Sequence, residues 1–274
     1  MSEYILFLHI SDIHINEEKE ISDLHLKKIA EAINIYKSYD ILHLFLIVTG
    51  DLTQSGKKYQ FDNCRKIIGS LISNIRKGIK VPISVLVVPG NHDVDHGDVI
   101  LSVDDLKANK YDDIVVAEKE KLKNFYNFAK FNNCFKDEET FLFQKHIKVK
   151  DYDLSIHFIN NAIYSTIDEY KGLLYVPKEI IEKIDIENEK SIDLIIMHHS
   201  PDYFRDNIKN RLEEKVISRS SMLFHGHEHN NTYKCTAYEE GKPVLIQSCG
   251  ALCDKGDWQK SSFIVGVLNM ESKE

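Results

Sequence analysis

Apolar runs that stop on residues able to bind metals are the feature that most restricts this chain. Residues 41–48 form a run of strand character, apolar but for His43, and the run breaks on Gly50-Asp51. A strand that stops on glycine puts the next side chain at the carboxyl edge of a sheet, where open α/β sheets bind ligands. Taken alone, Asp51 is either a helix cap or a ligand. Other runs end the same way. Residues 4–10 lead to Asp12-Ile13-His14, and 82–88 to Gly90-Asn91-His92-Asp93. Residues 194–197 lead to His198-His199, and 221–224 to Gly226-His227-Glu228-His229.

Between the first runs lie segments of helical spacing. Residues 22–38 offer Leu24, Ile29, Ile33 and Tyr36 as an inner face, with Ser22 or Asp23 as cap. Residues 59–77 offer Phe61, Ile67, Ile68, Leu71 and Ile75. Strand, helix, strand, helix, strand is a βαβαβ order, and the run 82–88 is apolar throughout, as a strand buried on both faces must be. Residues 94–150 differ in texture, being rich in Asp, Lys, Asn and aromatics. They read as an insertion or lid, with an amphipathic helix over 118–131. Asp95, His96 and Asp98 either line a site or belong to a solvated acidic loop. Residues 154–161 open a second strand-rich half, 177–184 read as a short helix, and the tail alternates strands at 231–238, 244–248 and 263–268. One domain over 1–274 accounts for the pattern, and a last strand so near Glu274 is compatible with a piece of a longer protein.

Composition excludes several classes. A net charge of -8 provides no global basic field for nucleic acid, leaving only a local groove for it. No apolar run reaches the roughly 20 residues needed to span a bilayer, and the start lacks a signal-peptide pattern, so a cytoplasmic protein with no membrane partner is expected. The five cysteines, Cys64, Cys134, Cys235, Cys249 and Cys253, have scattered spacing and read as core or surface thiols. His9, His43 and His157 lie inside apolar runs and read as packed histidines, while His25 and His146 join no cluster.

Asp12 and His14 flank one residue, so an extended segment would turn both to one side; the alternative is a polar turn. The clusters Asp12/His14, Asp51, Asn91/His92, His198 and His227/His229 together exceed what capping explains. Mixed Asp, Asn and His donors suit Mn, Fe or Zn and are too nitrogen-rich for a dedicated Mg or Ca site. They outnumber the needs of one tetrahedral ion, whereas two ions about 3.5–4 Å apart would use them all.

The order Asp12-x-His14, Gly50-Asp51, Gly90-Asn91-His92-Asp93, His198, Gly226-His227-x-His229 resembles the calcineurin-like metallophosphoesterase superfamily. The resemblance implies a four-layer αββα sandwich of two mixed sheets flanked by helices. It implies that Asp12, His14 and His229 hold one ion with Asp51, and that Asn91, His198 and His227 hold another, with Asp51 bridging. His92 would face the substrate as general acid for attack by a metal-bridging hydroxide. Asp93 would orient His92, support the ligands from behind, or stand as a surface carboxylate; His199 and His225 would pack or hydrogen-bond behind the ligands.

Departures from the pattern narrow the substrate. Protein phosphatases of the superfamily follow Gly-Asp with Asp-Arg-Gly; here Leu52-Thr53-Gln54-Ser55-Gly56 stands instead, so an Arg fork for a phosphomonoester is not evident. The DNA nucleases of the superfamily carry a second His near the position of Gln54. The shell is most similar to class III cyclic nucleotide phosphodiesterases. The expectation is therefore a phosphodiesterase acting on a small phosphodiester or nucleotide. A DNA nuclease, a phosphomonoesterase and a non-catalytic nucleotide-sensing module are the alternatives.

Overall fold

The structure, a computed structural model, describes residues 2–17, 21–97, 120–132, 134, 141–165, 171–184, 186, 191–238, 243–252 and 261–272. Asp98 and Cys253 lie outside them.

Strands β1 (Glu3–Ile10), β2 (Asp40–Val48) and β3 (Ile83–Val87) are parallel neighbours, and β10 (Ile264–Asn269) pairs antiparallel with β1. The sheet order is β10-β1-β2-β3. Helices α1 (Asp23–Asn34) and α2 (Lys58–Ile75) connect the parallel strands and share one core with them. Ser22 caps α1 by accepting from the His25 amide at 3.4 Å. Ile29 and Ile33 lie on the inner face as expected, joined by Leu26 and Ala30, whereas Leu24, in the first turn, is 60% exposed.

The second sheet has the order β4-β5-β6-β7-β9-β8. Here β5 (Tyr152–Ile159), β6 (Ile192–Ile196), β7 (Met222–His225) and β9 (Val244–Ser248) are parallel, while β4 (Leu142–Val149) and β8 (Thr232–Thr236) close the edges antiparallel. Strand β4 corrects the expected 94–150 insertion: its last eight residues or so belong to the sheet. Gln144, Lys145, His146 and Lys148 give β4 the polarity of an edge strand, which hid it in the sequence. Helix α3 (Lys123–Phe131), within the expected 118–131 segment, packs Phe125 and Phe128 on Phe61 of α2. Helices α4 (Lys178–Ile181) and α5 (Asp206–Lys215) cover the outer face of the second sheet, where Ile181, Ile208 and Leu212 meet Ile195, Met197 and Leu223.

The inner faces of the sheets meet at Phe7 and Phe224, ring centroids 5.8 Å apart, and at His9 against Phe224. Layers therefore run helix, sheet, sheet, helix. Every parallel strand points its carboxyl end to the same rim of its sheet, and the metal-suited residues follow β1, β2, β3, β6 and β7. Among the described residues no helix is long and apolar enough to cross a membrane. Cys64, Cys134 and Cys249 are buried free thiols and Cys235 is an exposed one.

Candidate metal centre

Parallel pairing of β1 with β2 carries on past the strand ends. The amide of Asp12 donates to Gly50 O (3.1 Å), and those of Ile13 and His14 donate to Asp51 O (2.8 and 2.9 Å). This zips the two loops together and puts Asp12 beside Asp51. The segment is not extended, however. Asp12 and His14 have φ of 53° and 51°. A pleat does not aim these side chains; left-handed turns do, which corrects the expected geometry while keeping both residues in the cluster.

That conformation recurs. Six non-glycine residues among those described have positive φ: Asp12, His14, Asp51, His227, His229 and Lys150. Five of the six are sequence-predicted ligands. Each such residue costs on the order of 1 kcal/mol or more, and such strain gathers where function requires it. Asp and His tolerate the left-handed region better than most residues, so ligand chemistry and turn chemistry coincide.

All seven predicted ligands come together. Asp12 Oδ1 lies 3.3 Å from His229 Nε2 and 3.9 Å from His14 Nε2. Asp51 Oδ2 lies 3.7 Å from His14 Nε2 and 3.4 Å from His198 Nε2. His198 Nε2 is 3.1 Å from Asn91 Oδ1, and the His198 and His227 rings are 5.1 Å apart. Donor atoms of Asp12, His14 and His229, of Asp12, Asp51 and His198, and of His198, His199 and His227 each gather within 4.8 Å. His199 thus lies closer to the donors than its expected packing role required. Asp51 sits between the two groups, as a bridging carboxylate must.

The electrostatics follow from burial. Asp12 and Asp51 are 0% and 1% exposed. Burial pushes the Asp51 pKa up, but the charge and hydrogen bond of His198 and then His14 hold it well below the usual carboxylate range. Asp12 is also held low: burial opposes, and His229 and His198 prevail. Burial works against the His198 cation too, yet the Asp51 and Asp12 carboxylates raise its pKa to about 10. Burial lowers His14 and His227, the latter to about 2, so both present lone pairs. Two buried carboxylates, an amide oxygen and neutral imidazoles facing a common centre are a donor set that requires positive charge, and divalent cations fit it.

Groups behind the ligands fix them. His198 Nδ1 donates to Thr49 O at 2.6 Å, which leaves Nε2 turned to Asp51 and Asn91. Asn161, at the end of β5, accepts from the amides of His198 (3.3 Å) and His199 (3.4 Å) and donates to His199 O (2.9 Å). His9, expected to be merely packed, spans the sheets: Gln247 Nε2 donates to its Nδ1 (3.0 Å), and its Nε2 donates to Thr49 Oγ1 (2.9 Å). Burial, then the charge of His225, lowers its pKa to about 3. Thr49 and Asn161 carry no signature in the sequence beyond their places beside strand ends.

His92 adjoins the ligands: one of its ring nitrogens lies within 4.8 Å of donor atoms of His14 and Asp51. Its amide donates to Asp51 Oδ1 (2.9 Å), its ring meets the His14 ring edge-on at 4.7 Å, and Nδ1 faces both Gln54 O (3.1 Å) and Gln54 Nε2 (3.3 Å). The ring lines a cavity of about 330 Å³ walled by Gln54, Ser55, Lys57, Asn91, Val94, Asp95, His96 and Gly97. Asp93 is fully buried and does not touch the His92 ring. Its carboxylate accepts from the amides of Leu52 (3.2 Å), Thr53 (2.9 Å) and Gly90 (3.0 Å) and from Thr53 Oγ1 (2.9 Å). It ties the β2 and β3 loops together, which corrects the expectation that it orients His92 or lies at the surface. Burial and the Asp51 charge raise its pKa to about 6 against those donors.

The profile of the calcineurin-like phosphoesterase family matches residues 5–231. No curated protein matches. Among solved structures, the sulfate thiohydrolase SoxB of Thermus thermophilus, in complex with glycerol, is similar at 11% identity with a TM-score of 0.46. The alignment covers 97% of this chain and 56% of that one.

Proposed function

The chain belongs to the calcineurin-like phosphoesterase family, and from that premise we propose that it is a dinuclear metal phosphodiesterase acting on a small phosphodiester. Family membership supports a metal-dependent phosphoric ester hydrolase, and the diester as substrate is our further reading. Asp12, His14, Asp51 and His229 would hold one ion, and Asp51, Asn91, His198 and His227 the other. The nitrogen-rich donors favour Mn, Fe or Zn. When bound, two such ions supply Lewis-acid charge to a phosphoryl oxygen and bring the pKa of water toward neutrality.

The chain's own part is orientation and proton supply. Gln54 O and Gln54 Nε2 both face His92 Nδ1, so the proton the ring would deliver, as imidazolium, is the one on Nε2. The Asp51 Oδ1 bond to the His92 amide fixes that ring relative to the bridging carboxylate. Restricted charge favours the diester. Among the described residues, the lysine of the cavity wall is Lys57, and its ammonium is already paired with Asp95 at 2.6 Å. A phosphomonoester dianion asks for more free positive charge than that wall offers.

The observation that carries the proposal is the placement of His92: beside the ligands, bonded to Asp51 through its backbone, yet with its ring in the cavity. With Mn added, the protein should hydrolyse bis-p-nitrophenyl phosphate faster than p-nitrophenyl phosphate and a labelled oligonucleotide. His92→Ala should lower turnover about 10²-fold or more at unchanged metal content. Loss of metal in that variant would make His92 a ligand, and faster monoester or oligonucleotide cleavage would replace the substrate class.

A further inference from the structure

The cavity beside His92 has a second polar feature that neither metal binding nor proton transfer uses. Lys57 Nζ donates to Asp95 Oδ1 at 2.6 Å. The other Asp95 oxygen takes no hydrogen bond among the described residues, and Asp95 lines the cavity. The wall is built to hold this pair. Gly56 has φ +68°, and a Cβ there would lie 2.5 Å from Asp95 N and from Val94 C, so the β2 and β3 loops touch backbone to backbone. Asp95 N donates to Lys121 O (3.0 Å), and Asn124 Nδ2 of α3 donates to Gly56 O (2.9 Å). His96 Nε2 donates to Asn91 O (3.2 Å), tying the wall to a ligand loop. Asp95 is therefore positioned from three sides.

We propose that this cavity seats the alcohol half of the substrate and that Asp95, held by Lys57, accepts a hydrogen bond from its hydroxyl groups. The inference rests on the function proposed above, because the oxygen that takes the His92 proton belongs to the departing alcohol, and that alcohol must then lie on the His92 side. Three properties define the group. A volume of about 330 Å³ is near the low end for small-molecule sites and suits a single sugar or nucleoside, not a polymer. A carboxylate oxygen with an open lone pair selects a hydroxyl donor and repels a second phosphate. Among the described residues, the paired Lys57 ammonium neutralises Asp95 and is not left free to recruit an anion. The substrate class is a phosphodiester of an uncharged, polyhydroxylated alcohol.

The test is calorimetric titration of a ribonucleoside and its 2′,3′-dideoxy counterpart into Mn-loaded wild type, Asp95→Ala and Lys57→Ala, with turnover of bis-p-nitrophenyl phosphate measured on each. The ribonucleoside should bind wild type about ten-fold or more tightly than the dideoxy analogue, as expected for a hydrogen bond to a charged acceptor. Asp95→Ala should abolish that preference and Lys57→Ala should reduce it. Equal binding of the two nucleosides to wild type, or a preference that survives Asp95→Ala, overturns the inference. A preference that behaves as expected in a protein inactive on every diester supports the pocket and refutes the phosphodiesterase reading instead.

Discussion

Replacing Gly90 with alanine tests the bridging position of Asp51 without replacing a ligand. Gly90 has φ -105° and ψ 179°, a conformation alanine adopts freely, so backbone strain plays no part. A Cβ there would lie 2.6 Å from Asp51 N and 2.8 Å from Asp51 Cγ, and closer still to Oδ1. Ordinary contact begins at 3.4 Å, so the Asp51 backbone must retreat by roughly 0.8 Å and its carboxylate oxygen by more than 1 Å. Metal–ligand distances tolerate about 0.2 Å. A displacement near 1 Å costs about 10²-fold in rate, and overpacking costs about 1–3 kcal/mol. The expected variant is folded, melts about 2–10 °C lower, holds fewer than two ions and turns over bis-p-nitrophenyl phosphate about 10²-fold more slowly. Plasma mass spectrometry, a thermal melt and a rate assay read the three quantities. Gly69→Ala is the control: the exposed site on α2 has nothing within 4 Å, so metal content should not change. Wild-type metal content and rate in Gly90→Ala would refute the placement of Asp51 at the centre.

Two further outcomes follow from the buried groups. Burial, aided by His225, lowers His9 to about 3 in the folded protein, against about 6.5 when unfolded. The unfolded chain therefore takes up the proton first, and the stability contributed by neutral His9 is complete above pH 6.5 and lost as pH falls toward 3. At 1.36 kcal/mol per unit this reaches about 2 kcal/mol by pH 5. Denaturant melts at pH 7.5 and 5 should show it, and His9→Gln should flatten the slope. Asp93→Ala strands four buried donors and should cost about 3 kcal/mol or more while weakening metal retention. A variant of normal stability that loses only kcat would return Asp93 to the proton-transfer role.

How much could be read before folding depends on the kind of signal. The strand ends were legible because a buried parallel strand is uniformly apolar and a ligand at its tip is not: Val48 to Asp51 and Ile196 to His198 change character within three residues. Strand β4 was hidden by its edge polarity, and α5, with mostly charged residues around Ile208 and Leu212, left only a thin apolar stripe. The supporting groups were least legible. Thr49 orients His198 through a backbone carbonyl, which has no sequence signature at all. Asn161 looks like any polar strand terminus until β5 and β6 are paired. Asp93 misled because adjacency to His92 in sequence stood in for contact, while a 3-10 turn over Asn91–Asp93 sends the two side chains to different neighbours.

Metal stoichiometry tests the central claim most directly. Protein dialysed to remove metal and reloaded with Mn should bind two ions per chain, and Asp51→Asn should bind no more than one, because its carboxylate faces both His14 and His198. A single ion in the wild type, or two retained in Asp51→Asn, would contradict a bridged pair of metals at the rim of the two sheets.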